Sequence, residues 1–435
     1  MNITGIYFYP FQKKIKLIQM GQTLTEIAKT LELANKKVQL IYAFNGTGKT
    51  RLSRKFRLEV APKDVEDEEN TGIKVLYYNA FTEDLFYWDN DLNSDTNRKL
   101  IIRPNNFTGF ALKYLKDQGL DNNIITNFQH YSNASITPVF NEEYTTQDEH
   151  RNDIIIKAYS EVTFSLASGD DQGLPNIKIS KAEESNFIWC VFYSLLEEAI
   201  ETLNETDETN RATNEFNNLE YVFIDDPVSS LDDNHLIELA VSLSGLIKNS
   251  SSELKFIITT HNPLFYNVIS NELNNNIPNP LYIIGEQNIG VKKWIYHSDN
   301  SIKYRFVKFS DGNFSLEQLG RKTPFSYHLQ LLREIQKAKN NPILIKKFHF
   351  NFIRNVLEKT ATFLGYSNWE KLLPIVNGEP DPFANRILNL SSHSAHAGDE
   401  IGEVQENDID KLIELVNYLE SNYKFSELIE QNETV

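Results

Sequence analysis

This sequence predicts an α/β fold built around a mostly parallel sheet, and three stretches carry the prediction. Val38–Tyr42 is a mostly apolar run that reads as a buried strand and leads directly into AFNGTGKT, Ala43 to Thr50. Tyr221–Ile224 is a second apolar run, ending at two carboxylates, Asp225 and Asp226. Lys255–Ile258 is a third, ending at Thr259-Thr260-His261-Asn262-Pro263. Short apolar runs bounded by polar residues read as buried strands, and open α/β sheets bind ligands at the carboxyl ends of such strands.

Taken in order, Ile3–Tyr9 is expected to be a strand, and Thr23–Glu32 a short helix with Leu24, Ile27 and Leu31 at helical spacing. AFNGTGKT matches a P-loop in its C-terminal half. Asn45, Gly46, Thr47 and Gly48 form the phosphate-binding turn, Lys49 reaches the β/γ-phosphates, and Thr50 can ligate magnesium. Ala43 stands where the first glycine is usual. Val60–Gly72 is an acidic loop, Ile73–Tyr78 a strand, and Tyr77–Asp91 (YYNAFTEDLFYWDND) a packed aromatic cluster. Pro104–Asp153 shows little periodicity and is expected to form an inserted helical lobe.

Ile177–Ile179 leads into SKAEES and then the helical run NFIWCVFYSLLEEAIETL. Ser180 and Glu184 fit the signature loop of ABC-type ATPases, a helix N-terminus that meets the γ-phosphate held by an opposing protomer. Ala182 replaces the usual glycine there, and Ser180 with Glu183 reads equally as a capping box. Glu201–Asn218 is polar and reads as a loop. Asp225 and Asp226 then form a Walker B pair, Asp225 for nucleotide-bound magnesium and Asp226 to polarise the attacking water. Ser229-Ser230-Leu231-Asp232 resembles the D-loop, which places Asp232 at a composite site in a dimer. His235–Ile247 is an amphipathic helix, and His261 matches the switch histidine that contacts the γ-phosphate. The fold class expected is an ABC-ATPase-like P-loop NTPase sheet with an inserted helical lobe, followed by a mostly α-helical C-terminal domain.

Composition sets limits around these motifs. A chain of 435 residues, 40% hydrophobic, should hold about two globular domains. No apolar run reaches the ~18 residues that span a bilayer, and Met1–Met20 lacks the order of a signal peptide, so a cytoplasmic protein without a membrane anchor is expected. The one cysteine, Cys190, lies in an apolar run, which excludes an intrachain disulfide and makes a small buried side chain the expectation. The net charge of -17 argues against nucleic acid as a partner, but it is unevenly spread. Phe265–Lys371 carries fifteen basic against eight acidic side chains, a local +7, and that block is where a polyanion would bind.

Together AFNGTGKTRLS, YYNAFTEDLFYWDND, SKAEESNFIW, YVFIDDPVSSLDDNHL and FIITTHNPLFYNV resemble the PrrC-type anticodon nucleases, from Gly21 to roughly Tyr418. The resemblance implies an ABC-like NTPase at 21–264, using magnesium with ATP or GTP, with the helical insertion near 104–153. It implies a C-terminal ribonuclease at 265–435 that cuts a tRNA, typically the lysine tRNA, in its anticodon loop. Partners implied are a silencing restriction-modification complex, a phage-derived activator and a second copy of the chain. Residues 1–20 lie outside the resemblance. Met1 and Met20 are the only methionines, so a start at Met20 and an N-terminal extension both remain open.

The nuclease chemistry needs its own residues, because an ATPase fold says nothing about RNA cleavage. Phe348–Phe363 reads as a helix with Arg354 and Glu358 four residues apart on one face, and LNLSSHSAH supplies His393 and His396. RNA cleavage without metal needs a base for the 2′-hydroxyl, an acid for the leaving 5′-oxygen and a cation for the transition-state charge; Glu, His and Arg can supply these. By itself the Arg354/Glu358 spacing reads as a surface ion pair. The family's triad, an arginine, a glutamate four residues on and a distant histidine after serine, maps onto Arg354, Glu358 and His393, and His396 matches less well. Glu358 and His393 can exchange base and acid roles. Two other classes compete: an ATPase of DNA repair without nuclease activity, and a regulatory nucleotide-sensing module.

Overall fold

A computed structural model describes residues 21–62, 73–79, 82, 84–91, 96–103, 114, 116–119, 121–132, 135–147, 151–167, 174–227, 233–284, 292–309, 311–320, 326–393 and 404–425. The expected Ile3–Tyr9 strand and most of the Val60–Gly72 loop fall outside these residues.

The centre is a six-stranded sheet in the order Phe314–Leu319, Ser301–Lys308, Val38–Tyr42, Lys255–Thr260, Tyr221–Asp225, Val75–Tyr78. Every neighbouring pair is parallel except the first, which is antiparallel. Val38–Tyr42 and Tyr221–Asp225 are buried at every position, which explains why every residue but Gln39 and Asp225 is apolar; the buried Gln39 amide donates to Leu31 O at 2.7 Å. One face is covered by Leu24–Leu33 and Lys49–Val60, whose Ile27, Leu31, Leu52 and Phe56 pack with Ile41, Phe223 and Ile257. The other carries Lys181–Asn204, Asp233–Asn249 and Pro263–Asn274, with Phe192, Leu196, Leu239, Leu243 and Phe265 in one core with Leu40, Val222 and Phe256. Cys190 is completely buried in this core, and burial pushes its thiol well up, as expected of a packing residue.

Two expectations are corrected. The NTPase sheet does not stop at residue 264, because Ser301–Lys308 pairs with Val38–Tyr42 and Phe314–Leu319 extends that edge. A central strand buried on both faces needs hydrogen-bond partners on both sides, and a boundary at 264 would leave one side open. The 104–153 insertion is also not simply helical. Among the described residues it holds the Asp121–Tyr131 helix, but Ile136–Phe140 then joins a four-stranded antiparallel sheet with Glu161–Leu166, Lys99–Ile102 and Phe86–Asp89. Val162 and Phe164 alternate inward along Glu161–Leu166, a period of two over a stretch too short to stand out in a helical window.

The C-terminal part is helical, with Tyr327–Asn340, Lys347–Phe363, Pro382–His393 and Glu406–Tyr423 around a separate core of Ile335, Phe350, Ile353, Leu357, Leu388, Leu412 and Leu415. No helix among the described residues is long and apolar enough to cross a membrane.

Asp381 ties this core together. Its carboxylate accepts the N–H groups of Phe383 (3.0 Å) and Ala384 (3.2 Å) at the start of the His393 helix, and pairs with Lys411 of the last helix at 2.6 Å. Burial alone would raise this carboxyl, but the Lys411 bond and the two amides outweigh it and hold it below the usual range. Stability from a depressed carboxylate is complete above its unfolded pKa of about 3.9 and is lost as pH falls through the lower folded value. Asp381→Ala should therefore destabilise the C-terminal helices by about 3 kcal/mol at neutral pH. Denaturant midpoints of variant and wild type should differ at pH 7, approximately neutral, and converge in strong acid.

Candidate functional site

The P-loop leaves the sheet at Ala43, whose N–H donates to Thr260 O at 3.0 Å. Ala43 is not among the residues with left-handed backbone, so the loop does not require glycine there. Gly46 (φ 77°) and Gly48 (φ 109°) do adopt that conformation, and both glycines of GTGKT are explained by it. Lys49 and Thr50 open the next helix, with Gly48 in the capping position.

The end of the sheet gathers the remaining groups. The Lys49 ammonium is buried, 3.3 Å from Ala43 O, 3.3 Å from Asn45 Oδ1 and 3.5 Å from Asp226 Oδ2. Thr50 Oγ1 donates to Asp225 Oδ2 at 2.7 Å, and Thr259 Oγ1 to Asp225 Oδ1 at 2.5 Å. Asp226 takes a left-handed backbone (φ 58°). Its carboxylate bonds directly to His261 Nδ1 and accepts from Thr260 Oγ1 at 3.3 Å and His261 N at 3.3 Å. Tyr42 donates its hydroxyl to the His261 carbonyl at 2.9 Å.

These surroundings push the adjacent carboxyls apart. Burial raises Asp225, with the Thr259 and Thr50 bonds opposing it. For Asp226 burial acts in the same sense, but the His261 bond and the Lys49 charge outweigh it and lower its pKa. The donor set suits a nucleotide with a hard cation. A threonine hydroxyl and a carboxylate lie together, and beside them a buried ammonium has carbonyl oxygens and Asp226 where phosphate oxygens would sit. A Cβ added at Gly46 would meet nothing within 4 Å, so the loop is open on that side.

Other expected nucleotide contacts stand differently. Ser180 caps the Lys181–Asn204 helix with a complete capping box to Glu183, the structural alternative already visible in the sequence. Glu184, expected at the nucleotide, is buried inside its own protomer, accepting Trp88 Nε1 at 2.9 Å and Lys181 Nζ at 2.6 Å. The helical turn that presents Ser180 outward turns Glu184 inward, where the Trp88 indole satisfies one carboxylate oxygen and the Lys181 ammonium balances the charge at the other. Asp232 and the rest of Ser229–Asp232 lie outside the described residues. The aromatic stretch is a packed cluster with working polar tips: Tyr77 OH lies 2.5 Å from Ser53 Oγ of the P-loop helix, and Tyr78 packs edge-on against Trp189 at 5.0 Å. Thr259, Thr260 and Tyr42 were not singled out from sequence, although the two threonines directly precede His261.

On the C-terminal helix Lys347–Phe363, Arg354 Nε donates to Glu358 Oε1 at 2.8 Å, and the guanidinium lies 5.7 Å from the Trp369 ring centre. Both side chains reach solvent. The helix that ends at His393 packs on the same core, Leu388 and Ala384 meeting Ile353, Leu357 and Ala361. The His393 side chain and all of His396 lie outside the described residues. The structure thus joins Arg354 to Glu358 and docks the helix of His393 against theirs.

Fold and site define a P-loop NTPase with an additional helical C-terminal unit. A family model described as an AAA domain matches residues 170–419. A curated Escherichia coli protein described as "Anticodon nuclease" is 44% identical over 441 residues, covering 95% of this chain and 100% of that one. The chain belongs to the anticodon nuclease family. Among solved structures, an Smc head domain with coiled coil and joint from Pyrococcus yayanosii aligns with 12% identity and a TM-score of 0.25, covering 48% of this chain and 29% of that one. An SmcHead bound to the C-winged helix domain of ScpA aligns with 11% identity and a TM-score of 0.30, covering 66% and 91%.

Lys49→Ala should abolish nucleotide turnover, because Lys49 carries the one ammonium of AFNGTGKT. Asp226→Asn should slow hydrolysis by about 10²-fold or more with binding largely retained. Phosphate release together with equilibrium binding of a fluorescent nucleotide separates the two effects, and full turnover in both variants would refute the site.

Proposed function

We propose that this chain is an NTP-regulated ribonuclease that cuts a tRNA, the lysine tRNA first among candidates, in its anticodon loop as an antiphage defence. The observation that carries the reading is the Arg354–Glu358 pair, exposed on a helix against which the His393 helix packs, in a chain that matches an anticodon nuclease along its length. Fifteen basic side chains between Phe265 and Lys371 support a polyanionic substrate in a chain that is acidic overall.

Glu358 would take the proton from the 2′-hydroxyl next to the scissile phosphate, and the oxygen would attack phosphorus. Arg354 would hold the charge that builds on the phosphate oxygens, and His393 would return a proton to the leaving 5′-oxygen. The products are a 2′,3′-cyclic phosphate and a 5′-hydroxyl. Base, acid and cation are then all side chains, so the cutting step is proposed to need no metal.

At the nucleotide site, Thr50 and Asp225 would hold magnesium, which when bound neutralises phosphate charge. Lys49 and the loop amides hold the β/γ-phosphates of ATP or GTP, Asp226 accepts a proton from the attacking water, and His261 orients Asp226 through their direct bond. Ser180 and Asp232 would complete the site across a dimer. A restriction-modification complex is proposed to keep the nuclease silent and a phage product to release it, inside the cytoplasm. The DNA-repair ATPase and the sensing module have no comparable support from a relative of full length.

Arg354→Ala, Glu358→Gln and His393→Ala should each reduce tRNA cleavage by about 10²–10⁴-fold while nucleotide turnover stays near wild type. An exposed i, i+4 ion pair contributes only about 0.3–0.5 kcal/mol to stability, so unfolding would not account for such losses. His396→Ala should keep most activity. Cleavage by an activated enzyme should continue in EDTA, with cyclic-phosphate ends visible after enzymatic end-repair; retained cleavage in all three variants would remove the triad. With nucleotide bound the protein should sediment as a dimer or larger, and Asp232→Ala should weaken that association.

A further inference from the structure

Phe44 belongs to the P-loop itself: its carbonyl accepts the Thr47 N–H at 3.2 Å and so closes the turn that carries the glycines. Its ring lies edge-on to Tyr42, at 5.4 Å and 89°, and to Tyr327, at 6.0 Å and 77°. Tyr327 comes from the far end of the chain, as the first residue of the helix Tyr327–Asn340 that Ser326 caps.

The first residue of that helix touches the P-loop. Leu331 and Leu332 pack with Val356, and Ile335 and Ala338 are buried with Phe350, Ile353 and Leu357 of the helix that carries Arg354 and Glu358. A second tie lies seven residues, about two turns, further on, where Arg305 of the central sheet reaches Glu334 at 3.6 Å and Glu317 at 3.6 Å. His328, beside Tyr327, has its imidazole pKa lowered by burial and then by the charge of Lys359, the residue after Glu358. One helix therefore contacts the phosphate loop with its first residue and forms the floor of the Arg354/Glu358 helix with the rest.

We propose that Tyr327 is a positioning residue through which the nucleotide state of the P-loop sets the placement of the Arg354/Glu358 helix. Phosphate in the loop is met by the backbone N–H groups that follow Phe44, so filling and emptying the loop moves the turn that Phe44 closes. A close-packed ring contact passes such a movement on as a shift of the whole helix, because packed interiors move as units. Coupling of this kind requires that the contact differ between the two nucleotide states, and the Phe44–Tyr327 edge is where the difference is felt. This inference rests on the reading of Arg354 and Glu358 as the ribonuclease site.

The test uses the full-length protein and takes the ratio of tRNA cleavage rates with and without nucleoside triphosphate, beside NTP turnover. For Tyr327→Ala the ratio should fall to about one while turnover stays within about twofold of wild type. Tyr327→Phe, which keeps the ring, should restore the wild-type ratio, an outcome that a merely structural loss would not give. Glu334→Gln should weaken the ratio in the same direction, and it reports even if Tyr327→Ala fails to fold. A wild-type ratio in both Tyr327→Ala and Glu334→Gln overturns the proposal, as does loss of NTP turnover in a folded Tyr327→Ala, which would make Tyr327 part of the nucleotide site. Cleavage that persists in Glu358→Gln sinks the ribonuclease assignment instead, and a wild-type ratio of one sinks nucleotide regulation and this coupling together.

Discussion

The pairing register of three parallel strands decides the nucleotide site. Tyr42 lies opposite Thr260, and Thr259 opposite Asp225, so the P-loop, the two carboxylates and His261 leave the sheet at one level. A slip of one residue would turn Asp225 to the other face, away from both threonine hydroxyls that now hold it. Both faces of these strands are buried, so the register is held by such specific polar bonds rather than by an apolar-polar alternation. Asp226 lies just past the strand end, and its left-handed backbone, at a cost of about 1 kcal/mol, turns its carboxylate back to Lys49 and His261.

The same register explains why neighbouring carboxyls behave differently. Asp225 is inside the sheet and is raised by burial, whereas Asp226 is held by a histidine and a lysine and is lowered. A bound cation beside Asp225 would reverse its tendency.

The two halves of the chain are joined by a shared apolar core, in which Tyr304, Phe306 and Phe314 are buried with Ile27, Ile41 and Phe56, and by a few specific polar and ring contacts. Residues past 264 return to supply an edge of the NTPase sheet before the helical core begins, so the second half is anchored in the first by backbone hydrogen bonds. Tyr327 and Glu334 then meet Phe44 and Arg305 from a helix whose other face is committed to the Arg354 core. The Trp88–Glu184 bond performs a comparable service on the opposite side, fixing the antiparallel sheet to the helix that Ser180 opens.

Much of this was legible in the sequence. Val38–Tyr42 is a strand with the bounds its apolar run indicated, the two glycines of GTGKT mark left-handed positions, and four-residue spacing did bring Arg354 to Glu358. Such features are local: periodicity, turn chemistry and helix geometry act over a few residues and leave their mark in composition. Glu184 and the edge strand Ser301–Lys308 were not legible, because the partner of each lies far along the chain. Glu184 carries the same carboxylate whether it faces a nucleotide or an indole, and only the arrival of Trp88, 96 residues earlier in the chain, makes it a buried acceptor. Ser301–Lys308 becomes part of the NTPase because a strand 263 residues before it at its start, Val38 opposite Ser301, needed a partner on that side. Local physics wrote the strands, caps and loops into the sequence, and tertiary packing decided which distant groups satisfy one another's charge and hydrogen bonds.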